Sequence, residues 1–211
     1  MSPHDVSRIT DRESENVATR RGRPAFPPDA VLAAADTMFA SAESPANVSM
    51  DAVAAAAGVG KGTLFRAFGS RRGLLDALWT SKLASLRHSV DHGEAPLGPA
   101  GAPVDRAVAF LDALLVFKFA NHNLIRAREL GAAGLLQSEH YRWMHGLLGN
   151  LVEQAAPACR PSDAGYAAHA LLAAMNVDLI EELLATGQTR EEIREAQARL
   201  TRGVMRTVAD E

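Results

Sequence analysis

Residues 61–72 hold the densest cluster of groups able to do chemistry. Lys61, Thr63, Arg66, Ser70, Arg71 and Arg72 all fall within this stretch. Cations and hydroxyls with no paired base suit the gripping of an anion, not the breaking of a bond. If 61–67 is helical, Leu64 and Phe68 turn inward, and Lys61, Gly62, Thr63, Phe65 and Arg66 face out. Arg66 can then bond guanine O6 and N7. Thr63 can touch a thymine methyl or a phosphate, and small Gly62 lets the backbone approach a groove floor. Ser70, Arg71 and Arg72 open the next helix, where backbone N–H groups and side chains can hold phosphate. Upstream, Arg20-Arg21-Gly22-Arg23-Pro24 forms a short basic arm. Arg21 and Arg23 can lie in a narrow minor groove. The same arm also reads as a solvated tail with generic phosphate affinity, and both readings stand.

Other chemistries fit less well. Gly58–Thr63 reads GVGKGT, part of a phosphate-binding loop, but that loop needs a glycine where Ala55 stands and a strand where the chain reads AVAAAA. His140 and His145 are spaced wrongly for one helix face, and no Cys cluster accompanies them, so no metal site is expected. No nucleophile elbow or catalytic triad order is recognisable. No cofactor is expected, and the chain does not read as an enzyme. The single cysteine, Cys159, reads as a loop bystander and fits a reducing cytoplasm.

The elements that must position these groups are helices. Alanine and leucine dominate, strand-type alternation is nearly absent, and an all-α chain of about nine helices is expected. No apolar run suggests a membrane span, and the polar N-terminus lacks a secretory h-region. The net charge of −3 argues against nucleic acid, but its distribution does not. Residues 18–90 carry +4, whereas residues 91–211 carry −5. Residues 1–19 read as a disordered tail. A first helix starts near Pro27-Pro28-Asp29. Ser49 is a good N-cap for a second, Gly58 suits a turn with positive φ, and Val53, Ala57, Val59, Leu64 and Ala67 supply buried positions. A fourth helix runs from Ser70 to about His88. Residues 91–103, with three prolines and three glycines, read as a flexible linker. Longer helices follow over about 104–121, 138–156 and 163–185, with a broken stretch over 124–136. The last helix opens on the capping box Thr189-x-x-Glu192.

RRGRP, followed by SMDAVAAAAGVGKGTLFRAFGSRRGLLDAL, resembles the N-terminal domain of the tetracycline-repressor (TetR) family of bacterial regulators. The resemblance covers about residues 20–80. It implies a three-helix helix-turn-helix DNA-binding domain over 20–72 and an effector-binding and dimerisation domain over 73–211. It further implies that Ser49, Lys61, Gly62, Thr63, Phe65, Arg66, Ser70, Arg71 and Arg72, with Arg21 and Arg23, meet DNA. In that family the last two helices pair across a two-fold axis, which implies a homodimer on a palindromic operator. Two departures stand out: Gly60 where the family often has Ser, and Phe65 for the common Tyr.

The body is less explicit. Phe110, Leu114, Phe117, His122, Arg126, Glu129, Trp143, Leu147, Met175 and Asn176 mix aromatic, aliphatic and polar groups as a small-molecule cavity does. The apolar ones fit a plain core equally. The expectation is a cytoplasmic, ligand-responsive DNA-binding regulator, most simply a repressor released by an effector that the sequence does not name. A DNA-binding architectural protein without effector and a helical enzyme are the alternatives.

Overall fold

The computed structural model describes residues 27–129 and 136–209. Every regular element among them is helical. The chain runs α1 (Pro28–Ser41), a 3-10 turn (Pro45–Asn47), α2 (Met50–Ala56), α3 (Lys61–Phe68), α4 (Arg71–His92), α5 (Pro103–Ala120), α6 (His122–Glu129), α7 (Glu139–Ala155), α8 (Pro161–Ala173), α9 (Val177–Ala185) and α10 (Arg190–Ala209). The tail 1–19 and the basic arm, with Arg21 and Arg23, lie outside the described residues, as do Gly131 and Gly134.

The first three helices are short and hold together by burying one stripe each. Val31, Ala35 and Phe39 of α1, Val53 and Ala54 of α2, and Leu64 of α3 are all buried. They close over Leu74, Leu75 and Leu78 near the start of α4. Full burial of one such aliphatic side chain is worth about 1.5–3 kcal/mol. In the body, α7 packs along α8, α10 lies against α5, and α5 fills the space to α7. Phe110, Leu111, Leu114, Leu115, Leu148, Leu151 and Leu171 form that core. Arg194 ties α10 to α5 through two bonds to Asp112, at 2.6 and 2.8 Å. α4 belongs to both parts, because Trp79 and Leu83 continue its buried face toward the body.

Three boundaries differ from expectation. First, α4 reaches His92, and the glycine- and proline-rich connection is folded rather than loose. Arg106 reaches back from α5 to the carbonyls of Leu97, at 3.1 Å, and Val90, at 2.7 Å. Those bonds satisfy carbonyls that a composition-based reading leaves to solvent. Second, the stretch expected to be broken contains α6. Third, the helix expected over 163–185 is two helices, and the described residues hold ten α-helices. The break falls at Asn176, whose Oδ1 accepts from the Asp178 backbone N–H at 2.8 Å and starts α9. A side chain offering its own backbone a local partner competes with helix continuation, and apolar periodicity does not register this.

Candidate DNA interface and effector cavity

The head mounts α3 outward on two well-built caps. Ser49 Oγ accepts from Ala52 N–H at 3.1 Å and fixes the start of α2. Ser70 Oγ accepts from Gly73 N–H at 3.1 Å and fixes α4. Gly58 turns the chain between α2 and α3 with φ +65°, a conformation that penalises any Cβ. α3 itself begins at Gly60 without a side-chain cap, so the missing serine hydroxyl leaves early backbone donors of α3 without that partner.

Leu64 is the buried anchor of α3, while Lys61, Gly62, Phe65 and Arg66 are exposed and Thr63 is half-buried. A Cβ at Gly62 would meet nothing within 4 Å. Internal packing therefore does not require glycine there, and its effect is to flatten the outward face. Lys61 Nζ rests on Asp51 Oδ2 at 2.7 Å with both side chains exposed, a pair that a phosphate can replace at little cost. Arg72 lies 3.8 Å from Asp76 on the α4 surface. Arg71 points elsewhere. Its Nε donates to the Val48 carbonyl at 3.1 Å, its Nη2 to Pro45 at 2.6 Å, and its guanidinium covers the Phe39 ring. Burial lowers its pKa without removing its charge. In this geometry Arg71 locks α4 onto the 3-10 turn, and its side chain is turned away from the phosphate role expected of it. Among the described residues of the head, Lys61 and Arg66 on α3 and Arg72 at the start of α4 are exposed cations.

Residues 31–78, which contain this whole arrangement, match the profile of the bacterial regulatory proteins of the tetR family. The head is similar to the DNA-binding domain of that family. No curated protein matches the chain significantly. Solved structures extend the likeness to the rest of the fold. A TetR-like transcriptional regulator from Rhodococcus sp. RHA1 superposes with a TM-score of 0.57 at 23% identity, over 83% of this chain and 94% of that one. The TetR family repressor AlkX from Dietzia sp. strain DQ12-45-1b, implicated in biodegradation of n-alkanes, gives 0.51 at 19% identity, over 90% and 98%. At such identities these two establish the fold alone.

Behind the head, a cavity of about 250 Å³ opens between α4, α5, α6, α7 and the α8–α9 break. Of the residues proposed for a ligand site, Leu114, Met175 and Asn176 line it. Phe110, Phe117, Trp143 and Leu147 are not among its wall residues. Phe110 is fully buried and meets Trp143 edge-on at 5.6 Å, Phe117 meets Trp79 at 5.0 Å, and Leu147 packs on the core. His122 and Arg126 converge instead on Glu181 of α9, at 2.7 and 2.6 Å. His122 also lines a second cavity of about 230 Å³ beside Asp36, Lys82 and Asn123. The Glu129 side chain lies outside the described residues.

Sequence reasoning passed over Trp79, Lys118, Arg128, Tyr141, Met144 and Leu172, all in the wall of the first cavity. One signal was present: Lys118 interrupts the apolar run VFKFA. Its Nζ donates to the Met175 carbonyl at 2.6 Å. Arg128 donates to Asp76 Oδ1 from Nε at 3.0 Å and Nη2 at 2.9 Å, and its guanidinium lies 4.5 Å from the Trp79 ring centre. Next to them, buried His140 bonds Thr80 Oγ1 through Nε2 at 3.0 Å. Desolvation, reinforced by the Arg128 charge, pushes its pKa below the usual histidine value. Among the described residues, no group of three or more His, Cys, Asp or Glu could hold a metal ion. No single described helix is long and apolar enough to cross a membrane.

Proposed function

We propose that the protein is a homodimeric, cytoplasmic transcriptional repressor that reads a palindromic operator and leaves it when a small-molecule effector binds. The head would comprise residues 20–72 and the effector-binding, dimerising body residues 73–211. The observation that carries this reading is the continuity of α4. Ser70 and Arg72 lie at its DNA-facing start, and Asp76 and Trp79, one and two turns on, reach the cavity region. Occupancy of the cavity and placement of the head therefore act on one rigid element. An effector that prefers the non-binding placement lowers DNA affinity by population shift.

Dimerisation is supported by an exposed groove between α8 and α10. Tyr166 is 77% exposed there and Leu200 43%, and Ala167, Ala170, Gly203 and Val204 supply small or apolar surface beside them. Large apolar groups beside small residues form the kind of exposed patch that a partner helix covers. A second copy would also bring two α3 helices to successive major grooves, about 34–36 Å apart.

The test is selection of binding sites from random duplex DNA by the full-length protein, with sedimentation on the same sample. The expected result is a dimer and a two-fold symmetric site. A monomer bound to an asymmetric site overturns the dimeric reading. Equal affinity for selected and random DNA replaces the repressor with an architectural DNA-binding protein.

A further inference from the structure

His88 and His92 lie four residues apart on α4, one turn from each other on the same face, at the end of the helix away from the head. Leu86 and Val90 of the same stretch are buried, whereas both histidines are exposed. Packing on one side of the helix thus fixes the backbone while the two imidazoles stand in solvent. Their ring centres are 5.1 Å apart, with the ring planes inclined at 58°. The other described histidines each spend a ring nitrogen on the protein. His122 meets Glu181, His140 meets Thr80, His145 meets the Gly165 carbonyl and His169 meets the Tyr141 hydroxyl. Among the described residues, His88 and His92 make no such bond, and each is in contact only with the other's ring.

Their spacing is that of two ligands on one ion. A ring nitrogen lies about 1.1 Å from its ring centre and about 2.0–2.1 Å from a bound zinc ion, so two imidazoles on one tetrahedral ion have centres about 5 Å apart. The observed separation matches, and rotation of two exposed side chains turns one nitrogen of each toward the shared point. The surroundings favour positive charge. His92 is the last residue of α4, and the Gly93 N–H closes the final turn onto the Ser89 carbonyl at 2.9 Å. The negative end of the helix dipole therefore lies beside the pair. Asp91 and Glu94 are exposed next to it. The neighbouring cations are directed elsewhere: Arg87 to Glu139 and the Trp143 ring, Arg106 to the carbonyls of Leu97 and Val90.

We propose that His88 and His92 form an open two-ligand site for a divalent first-row transition cation, Zn²⁺ or Cu²⁺, with water completing the coordination. Imidazole nitrogen suits these ions, whereas Mg²⁺ and Ca²⁺ require oxygen ligands. Two side chains are fewer than a closed structural site uses, which agrees with the lack of any group of three or more metal-binding side chains among the described residues. A cation shared by His88 and His92 staples the last turn of α4 where the helix hands over to the folded connection 93–102. The site owes nothing to the cavity or to an effector.

The experiment is calorimetry of the full-length, untagged protein with Zn²⁺, Cu²⁺ and Mg²⁺, together with electron paramagnetic resonance of the Cu²⁺ form. One Zn²⁺ or Cu²⁺ per chain is expected, with Cu²⁺ the tighter and Mg²⁺ not bound. Loss of a partner one shell further out already weakens metal sites by about 10–100-fold, so His88→Gln and His92→Gln should each weaken Zn²⁺ binding by at least about tenfold. Both side chains are exposed, so these variants should keep the melting temperature of the metal-free wild type. The Cu²⁺ spectrum should show two nitrogen ligands in the wild type and one in either variant. Cys159→Ser and His145→Gln should leave the Zn²⁺ affinity unchanged. No binding of Zn²⁺ or Cu²⁺ overturns the site. So does binding that survives His88→Gln and His92→Gln but is lost in Cys159→Ser or His145→Gln. Mg²⁺ bound as tightly as Zn²⁺ overturns imidazole as the ligand.

Discussion

The head and the body use the same material, amphipathic helices, but turn it in opposite directions. In the head the residues proposed to meet DNA face solvent and the packing residues face in: Leu64 is buried while Lys61, Phe65 and Arg66 are exposed. In the body the apolar cavity residues face inward, where they resemble their neighbours in the core. Leu114 lines the cavity and is 1% exposed, while Phe110, one turn away, is 0% exposed and is not among the wall residues. Function on an outer face stands out against the amphipathic pattern, whereas function on an inner face is camouflaged by it.

That contrast can be broken most severely at Phe110. If it is core and no more, Phe110→Ala should cost about 3–5 kcal/mol of stability, read by denaturant unfolding. A variant that keeps its stability but loses ligand binding would make Phe110 a cavity residue and blur the distinction. The matching probe in the head is Arg66→Ala. It should leave the melting temperature unchanged and cost about 1–3 kcal/mol on the selected site, with little loss on random DNA. Equal losses on both would reduce Arg66 to a phosphate contact.

Arg71 and Arg72 sharpen the comparison within the head, because these neighbours face opposite ways. Arg71→Ala removes two bonds to buried-side carbonyls and should lower stability by about 1–3 kcal/mol. It should leave the salt dependence of DNA binding unaltered. Arg72→Ala should do the reverse, with stability held and the slope of log K against log salt reduced by about one unit. A flattened slope for Arg71→Ala would mean that its guanidinium swings out to DNA. The smallest effect belongs to Gly60. A Cβ there meets only Thr63 Oγ1, at 3.7 Å, so Gly60→Ser fits. It should stabilise α3 by a few tenths of a kcal/mol, seen as a small rise in melting temperature and slightly tighter DNA binding.

Much of the head was legible in the sequence because its signals are local. Ser49, Gly58, Leu64 and Ser70 each fix a cap, a turn or an anchor within a few residues of themselves, and each sits as the pattern implies. The packing of Arg71 was not legible, because its partners, Val48 and Pro45, lie more than twenty residues upstream. The capping box of α10 was legible for the same local reason, with Glu192 N–H on Thr189 Oγ1 at 3.2 Å and Thr189 N–H on Glu192 Oε2 at 2.7 Å. The body's errors are those of distance. Nothing adjacent to Arg128 announces Asp76, and nothing adjacent to Lys118 announces Met175. The division at Asn176 was local, but a polar residue inside an apolar run reads equally as a ligand contact or as a cap.

The length of α4 has a geometric consequence. Its 22 residues make a rod of about 33 Å at 1.5 Å per residue, and its far end is held by Arg106 through the Val90 carbonyl. Pivoting such a rod by about 5° about that anchored end displaces the other end by about 3 Å. Two copies swinging apart would change the separation of their tips by about 6 Å, against a helical repeat of about 34 Å. In the dimeric, effector-controlled repressor proposed above, a rearrangement at the cavity no larger than one side chain would be geared up to a misfit that the double helix does not accommodate without bending.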